Sequence, residues 1–409
     1  MIVNRFRKIM DRGLLGMMPN TYVSPFAPPL HSLYQKLAVF DQHTFGTWSL
    51  PDGTVTPLYN RYRDFVKRVW RLDFPALNYL YNLALDYSLP EDTQQLLAQM
   101  RQSPTLTVSE AELNQHVEAA ASLYPEVTQT IILADGTTSH QYISPDQIAP
   151  IVQSYRDAAR ILETRLRRAS GLTLKGLRTL EIGTGTGLNC YAVAERGAVA
   201  STGIDIDYAE EGVVFRKDAI TSFSSKNADL ASKVELLQMN ANQTTFGDAA
   251  FDLIYSTSVL EHVQDLHLTF KEMYRLLRPG GWAVHSVGPY WGPAGGHALV
   301  TLDFPWGHAR LTDTEIHTYL RQLRPHEADK ASRFLTQGLT QPHHVLTDYA
   351  RFALEAGFEL VCWQENVLDN HRALLNRDIL AQTQALNPRV TLNDLLTNEL
   401  ILVLHKNAA

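Results

Sequence analysis

Cysteine is scarce in this chain: Cys190 and Cys362 are the two among 409 residues. Two thiols cannot build a disulfide framework, and neither stands in the CxxC spacing that recruits zinc. Long apolar runs are missing as well. No stretch approaches the roughly 20 residues of a membrane-spanning helix. Gly13-Leu14-Leu15-Gly16-Met17-Met18-Pro19 is too short for a secretory apolar region, so the chain reads as retained, cytoplasmic and without a membrane partner. Positive charge is not in excess. Lys and Arg total 36 against 43 Asp and Glu, a net charge of −7, which argues against a broad phosphate-binding face and against nucleic acid as a partner. Internal repeats and low-complexity tracts are absent.

What the chain does have is material for a large core. Hydrophobic residues make up 45% and charged residues 19%, an ordinary water-exposed composition, and the length suggests two domains. The most informative stretch is Arg178-Thr179-Leu180-Glu181-Ile182-Gly183-Thr184-Gly185-Thr186-Gly187. An apolar strand ends in an acid and runs into three alternating glycines. Glycines there let the main chain turn tightly and approach a ligand where a Cβ would intervene.

Residues 1–143 carry no such loop and read as a mostly helical module with small β-hairpins, serving as lid, acceptor platform or dimer surface. Asp52-Gly53 and Asp135-Gly136, each beside strand-forming residues, are the hairpin signals. Helices are expected over 76–87, 91–100 and 109–123, the last opening on the capping box Ser109-Glu110-Ala111-Glu112. At Ser144-Pro145-Asp146-Gln147 a cap, a proline in the first turn and an early acid coincide. A second domain, 144–409, is placed there. Its first helix should reach about Arg168, with Ile151, Tyr155, Ala158 and Ile161 on one face.

Beyond residue 178 the pattern alternates strand and helix: strands at 179–182, 200–206, 234–239, 251–256 and 282–287, and helices at 187–196, 208–222 and 266–277. That alternation builds an open parallel sheet covered on both faces. An insertion rich in Gly, Pro, Trp and His occupies about 288–346. A helix at 348–356 and strands at 359–363 and 399–405 complete an α/β sheet with an antiparallel edge.

Five blocks in order, Leu180–Gly187, Thr202-Gly203-Ile204-Asp205-Ile206, Phe251–Ser256, Val259-Leu260-Glu261-His262-Val263 and Leu276-Leu277-Arg278-Pro279-Gly280-Gly281, resemble the class I S-adenosylmethionine-dependent methyltransferases of small-molecule type. The resemblance implies a Rossmann-like, doubly wound, mostly parallel seven-stranded sheet with an antiparallel edge strand, and S-adenosylmethionine as cofactor. It covers residues 150–290 and leaves the first third unexplained. Glu181, Gly183, Thr184, Gly185 and Gly187 would line the methionine moiety, and Ser256 would receive its amino group. Asp205 and Ile206 would meet the ribose, and Asn240 and Ala241 the adenine. The residues agree with this. Asp205 follows the glycine loop by about 20 positions, where a carboxylate takes both ribose hydroxyls. The third glycine of a dinucleotide GxGxxG is missing, with Leu188 following Gly187, and Glu181 would repel a pyrophosphate. Many relatives have Asp where Asn240 stands; the amide oxygen still accepts one bond, without charge.

Methyl transfer from a sulfonium is an in-line displacement, and an alcohol or phenol acceptor gains from a base. His262, His297 and His308 are the candidate bases, with helix-start packing or loop anchoring as the competing roles. Glu261 reads as an acid at a helix start, and His285 as a core histidine with its hydrogen bonds satisfied. Tyr290, Trp291 and Trp306 form a candidate apolar acceptor wall, the alternative being that they pack the insertion onto the sheet. His297, Asp303 and His308 span too loose a spacing to define a metal geometry, and no metal site is assigned. The expected activity is methylation of a small organic acceptor, oxygen favoured, with a homodimer left open. A non-catalytic cofactor-binding scaffold and an aminopropyltransferase-like enzyme are the rivals.

Overall fold

In the computed structural model the glycine loop and the strands and helices on either side of it assemble into a sheet-bearing unit. The structure describes residues 47–49, 55–57, 76, 79–80, 83–84, 86–102, 108–132, 138–142, 148–206, 219–223, 228–293, 295, 306–323, 328, 332, 343–367, 372 and 375–408. The chain divides into two compact units, one of Glu126–Tyr290, Leu339–Val367 and Thr397–Ala409, the other of Met1–Pro125, Trp291–Gly338 and Leu368–Leu396.

In the first unit, strands β1 (Arg178–Ile182), β2 (Ala200–Asp205), β3 (Val234–Gln238), β4 (Phe251–Thr257), β5 (Leu277–Val287), β6 (Glu359–Val367) and β7 (Thr397–His405) lie in the order β6-β7-β5-β4-β1-β2-β3. Strands β1 to β5 pair in parallel. β7 runs antiparallel to both of its neighbours, β5 and β6. The chain winds outward from β1 to β3, then starts again at β4 on the other side of β1. Such a reversal opens a crevice at the carboxyl ends of β1 and β4.

Alternation along the strands sorts side chains to two faces. Leu253, Tyr255 and Val284 join helices α1 (Ile148–Ser170) and α2 (Leu188–Glu195) in one core. Ile254, Ala283 and Leu402 join α3 (Leu266–Leu276) and α4 (Leu346–Glu355) in the other. α1 buries Ile151, Val152, Ala159, Leu162 and Leu166, a stripe at helical spacing. The stripe expected through Ala158 and Ile161 is therefore displaced. Leu162 and Leu166 rest on the sheet, which rolls Ile161 to the rim at 43% exposure.

The hairpin signals coincide with paired strands. Thr47–Ser49 pairs antiparallel with Val55–Pro57 around Asp52-Gly53, and Thr128–Ile132 with Thr138–Tyr142 around Asp135-Gly136. The second hairpin belongs to the sheet-bearing unit. The other unit holds helices Glu91–Gln102 and Glu110–Leu123, the latter capped by the Ser109 hydroxyl accepting from Glu112 N at 3.1 Å. It also contains the helix Asp313–Leu323 from the insertion. The expected helix starts at Ser144–Gln147 and Tyr208 lie outside the described residues.

Candidate functional site

Strand β1 is buried from Thr179 to Ile182, and near its carboxyl end it carries Glu181, 3% exposed. The chain then turns through Gly183, Gly185 and Gly187, all at positive φ. The N–H groups of Gly183 and Thr184 both donate to Ile204 O, at 2.8 and 3.0 Å, which pins the loop to β2. A Cβ on Gly183 would overlap the Val259 side chain, whereas Gly185 faces open space. Packing thus requires the first glycine, and the second leaves bare backbone where a ligand can approach. The Tyr155 hydroxyl of α1 meets the Thr186 hydroxyl at 3.0 Å and closes the far side of the loop.

Two carboxylates flank that bare backbone. Glu181 accepts from Thr184 Oγ1 at 2.7 Å, Asn189 Nδ2 at 2.8 Å and Cys190 Sγ at 3.3 Å. Burial pushes its carboxyl up to about 7, against the pull of those hydrogen bonds. Asp205, ending β2, accepts from Gly185 N at 2.9 Å. Ile206 beside it is 53% exposed, an apolar surface at the crevice mouth. Beyond β3, Asn240 Oδ1 accepts from Asn242 N at 2.9 Å, so one lone pair of the expected adenine acceptor is spent on its own turn. Ala241 is partly buried against the α3 face. Ser256, at the end of β4, is 2% exposed, and its hydroxyl pairs with His285 Nδ1 at 2.8 Å.

His285 is neutral, burial pushing it down to about 3. Its Nε2 has no partner, so the expectation of a fully satisfied core histidine holds for one nitrogen of the ring. Glu261 does not start a helix. α3 begins at Leu266 with Asp265 as its cap, and the Glu261 side chain turns inward instead. Its Oε1 accepts from Gly288 N at 3.1 Å, tying the turn after β4 to the turn after β5. Oε2 is buried without a partner, and burial pushes the carboxyl up to about 7. His262 follows, half-buried, its N–H donating to Val259 O at 2.8 Å.

The other candidates separate. Tyr290, 7% exposed, stacks on His343 with ring centroids 3.4 Å apart within the sheet-bearing unit. Trp291, Trp306 and His308 belong to the other unit. There Trp306 is fully buried and donates from Nε1 to Leu395 O at 2.8 Å. His308, 4% exposed, packs against Gly295. His297 and Asp303 lie outside the described residues. Among the described residues, no cluster of three His, Cys, Asp or Glu side chains could hold a metal, and no helix is long and apolar enough to cross a membrane.

On the α1 face a cavity of ≈160 Å³ opens between the helix and the ends of β4, β5 and β7. Asn189 lines one end, and Arg165 with Glu399 the other. Arg165 Nη2 donates to Glu399 Oε1 at 3.3 Å, Asn366 Nδ2 donates to Oε2 at 2.8 Å, and the Ser286 hydroxyl also donates to Oε1. Partial burial works to raise the Glu399 pKa, yet these partners outweigh it and hold the carboxyl below its ordinary value. Sequence reasoning missed this group because Arg165 and Glu399 are 234 positions apart. Asn189 did carry a local signal, as a polar residue two positions beyond the glycine loop, whereas Tyr155 reaches Thr186 from 31 positions away.

The family profile described as a methyltransferase domain matches residues 180–285, which is the stretch from Leu180 in β1 to His285 in β5. That match marks residues 180–285 as a methyltransferase domain of the class I, S-adenosylmethionine-dependent type. An uncharacterised methyltransferase of Mycobacterium sp. (strain JLS) is 30% identical over 159 residues, 38% of this chain and 56% of the relative. The chain therefore spans little more than half the length of that relative. The O-methyltransferase rstn1 of Aspergillus nomiae is 29% identical over 39% of this chain and 71% of its own. A ubiquinone biosynthesis O-methyltransferase of Paracidovorax citrulli is 27% identical over 44% and 71%.

Proposed function

We propose that this protein transfers the methyl group of S-adenosylmethionine to a small organic acceptor, at oxygen. The carrying observation is the pair of acids, Glu181 and Asp205, set on either side of glycine-loop backbone that faces open space at Gly185. Carboxylates there suit an ammonium and ribose hydroxyls and oppose a pyrophosphate. The residues present thus fit a sulfonium nucleoside. Asp205 and Ile206 would hold the ribose, the Asn240–Ala241 turn the adenine edge, and Glu181 with the end of β4 the amino acid end.

Bound there, S-adenosylmethionine would supply an electrophilic methyl carbon to the acceptor oxygen, with its sulfur as the leaving group. The protein's share is alignment, exclusion of water and removal of one proton. His262, in the turn leaving β4, is our candidate for the base that takes that proton. Oxygen as the methylated atom is supported by the O-methyltransferases among the relatives.

Parallel calorimetric titrations with S-adenosylmethionine, S-adenosylhomocysteine and NAD test the reading. Micromolar binding of the two sulfur nucleosides alone is expected. Binding of NAD alone would overturn it.

A further inference from the structure

We infer that the cavity between α1 and the ends of β4, β5 and β7 is the acceptor pocket, and that its Arg165–Glu399 end receives a small zwitterionic head group, an ammonium beside a carboxylate. This deepens, and rests on, the methyltransferase reading above.

Position comes first. Adjacent strands are about 4.8 Å apart. In the observed order, β7 lies two strands beyond β4 and three beyond β1. Glu399 therefore sits about 14 Å along the sheet from the glycine loop. A nucleoside held at Asp205 on β2, with its amino acid end at β4, leaves that part of the cavity vacant. Register agrees: Leu400 pairs with Val287, the last residue of β5, so Glu399 stands at the carboxyl edge where ligands of open parallel sheets bind.

Chemistry comes second. Arg165 and Glu399 are half-exposed, with side-chain accessibilities of 27% and 34%, and both line the cavity. The guanidinium spends one nitrogen on Glu399; among the described residues, its Nε and Nη1 have no protein partner. A charged pair that shows a donor fork beside an acceptor carboxylate matches a ligand carrying the same two groups in reverse. At the opposite end Asn189 Oδ1 is buried and unpartnered, its amide nitrogen being held by Glu181. An acceptor hydroxyl at that end would supply the donor this oxygen lacks. Between the ends the wall is apolar, formed by Ile161, Leu162 and Val284. Exposed Ile161 on the rim acquires a use as pocket wall. The volume, ≈160 Å³, is close to the roughly 150 Å³ cavity that accommodates a benzene, so a head group of about six heavy atoms fits.

The test uses three shape-matched probes on the full chain saturated with S-adenosylhomocysteine, read by saturation-transfer NMR. L-alanine carries both charges, isobutyrate lacks the ammonium, and isopropylamine lacks the carboxylate. Alanine alone is expected to bind. Glu399→Gln and Arg165→Gln are each expected to weaken it tenfold or more while leaving S-adenosylhomocysteine affinity within twofold. Ala158→Phe, which fills the cavity without touching the charged pair, is expected to abolish it. Competition between S-adenosylhomocysteine and alanine would assign the cavity to the cofactor and overturn the proposal. So would equal binding of all three probes, or alanine binding indifferent to the three variants. Failure of S-adenosylhomocysteine to bind would remove the methyltransferase reading instead, and alanine titration of the free protein and its variants would still decide the pocket.

Discussion

Asp205 anchors the Gly185 N–H, and in the proposed reading its carboxylate also takes the ribose hydroxyls. Asp205→Ala is expected to weaken S-adenosylhomocysteine binding by roughly 1–3 kcal/mol, the worth of charge-assisted hydrogen bonds; unchanged affinity in a folded variant would move the cofactor out of this crevice. Gly183→Ala combines positive φ with a clash on Val259 and should cost about 1–3 kcal/mol of stability, measured by denaturant unfolding. Glu261 predicts a pH effect. Its folded pKa, raised to about 7 from 4.5, means that the native state binds more protons than the unfolded chain between those values. Stability is then fullest below pH 4.5 as far as this group is concerned, and declines as pH rises through about 7. Glu181 adds to the decline with the same sign. Glu261→Gln should flatten the fall in melting temperature from pH 6 to pH 8, and a wild-type slope in that variant would locate the proton elsewhere. The places of the glycines, Glu181 and Asp205 at the ends of β1 and β2 were legible in the sequence because a strand, a turn and a second strand fix them locally. Glu261 was not, since whether an acid in a turn points out or in depends on Gly288, 27 positions on.

Elements announce themselves where a single side chain ends them. Asp265 Oδ1 accepts from Leu268 N at 2.9 Å and starts α3. Asp265→Ala should cost about 0.5–2 kcal/mol, seen as a lower melting temperature with cofactor affinity unchanged. The two Asp-Gly pairs marked their hairpins for a similar reason, since few residues accept the backbone of a tight turn. The face of α1 was read less well. Its apolar positions outnumber one stripe, and only contact with the sheet decides that Leu162 and Leu166 go down while Ile161 goes to the rim. Trp306 shows the same limit. An aromatic in a glycine-rich loop reads as a ligand wall or as core, and the hydrogen bond to Leu395, 89 positions away, is what makes it core.

At the scale of the molecule, strand order was accessible only through resemblance, because periodicity locates strands without saying which are neighbours. The antiparallel strand has a further meaning. β6 ends at Val367 and β7 begins at Thr397, yet β7 lies between β6 and β5. Until residues 397–405 have left the ribosome, β5 therefore presents an open edge and β6 has no place to dock. A nascent or truncated chain that stops short of Thr397 carries two unsatisfied ladders of the kind that recruit strands from other copies. Such a truncation should aggregate or exchange strands, detectable by light scattering during synthesis in a cell-free system. Supplying 397–405 as a separate peptide should suppress it. The last strand of the sheet thus acts as a keystone, locking β6 to β5 only once the end of β7 has arrived.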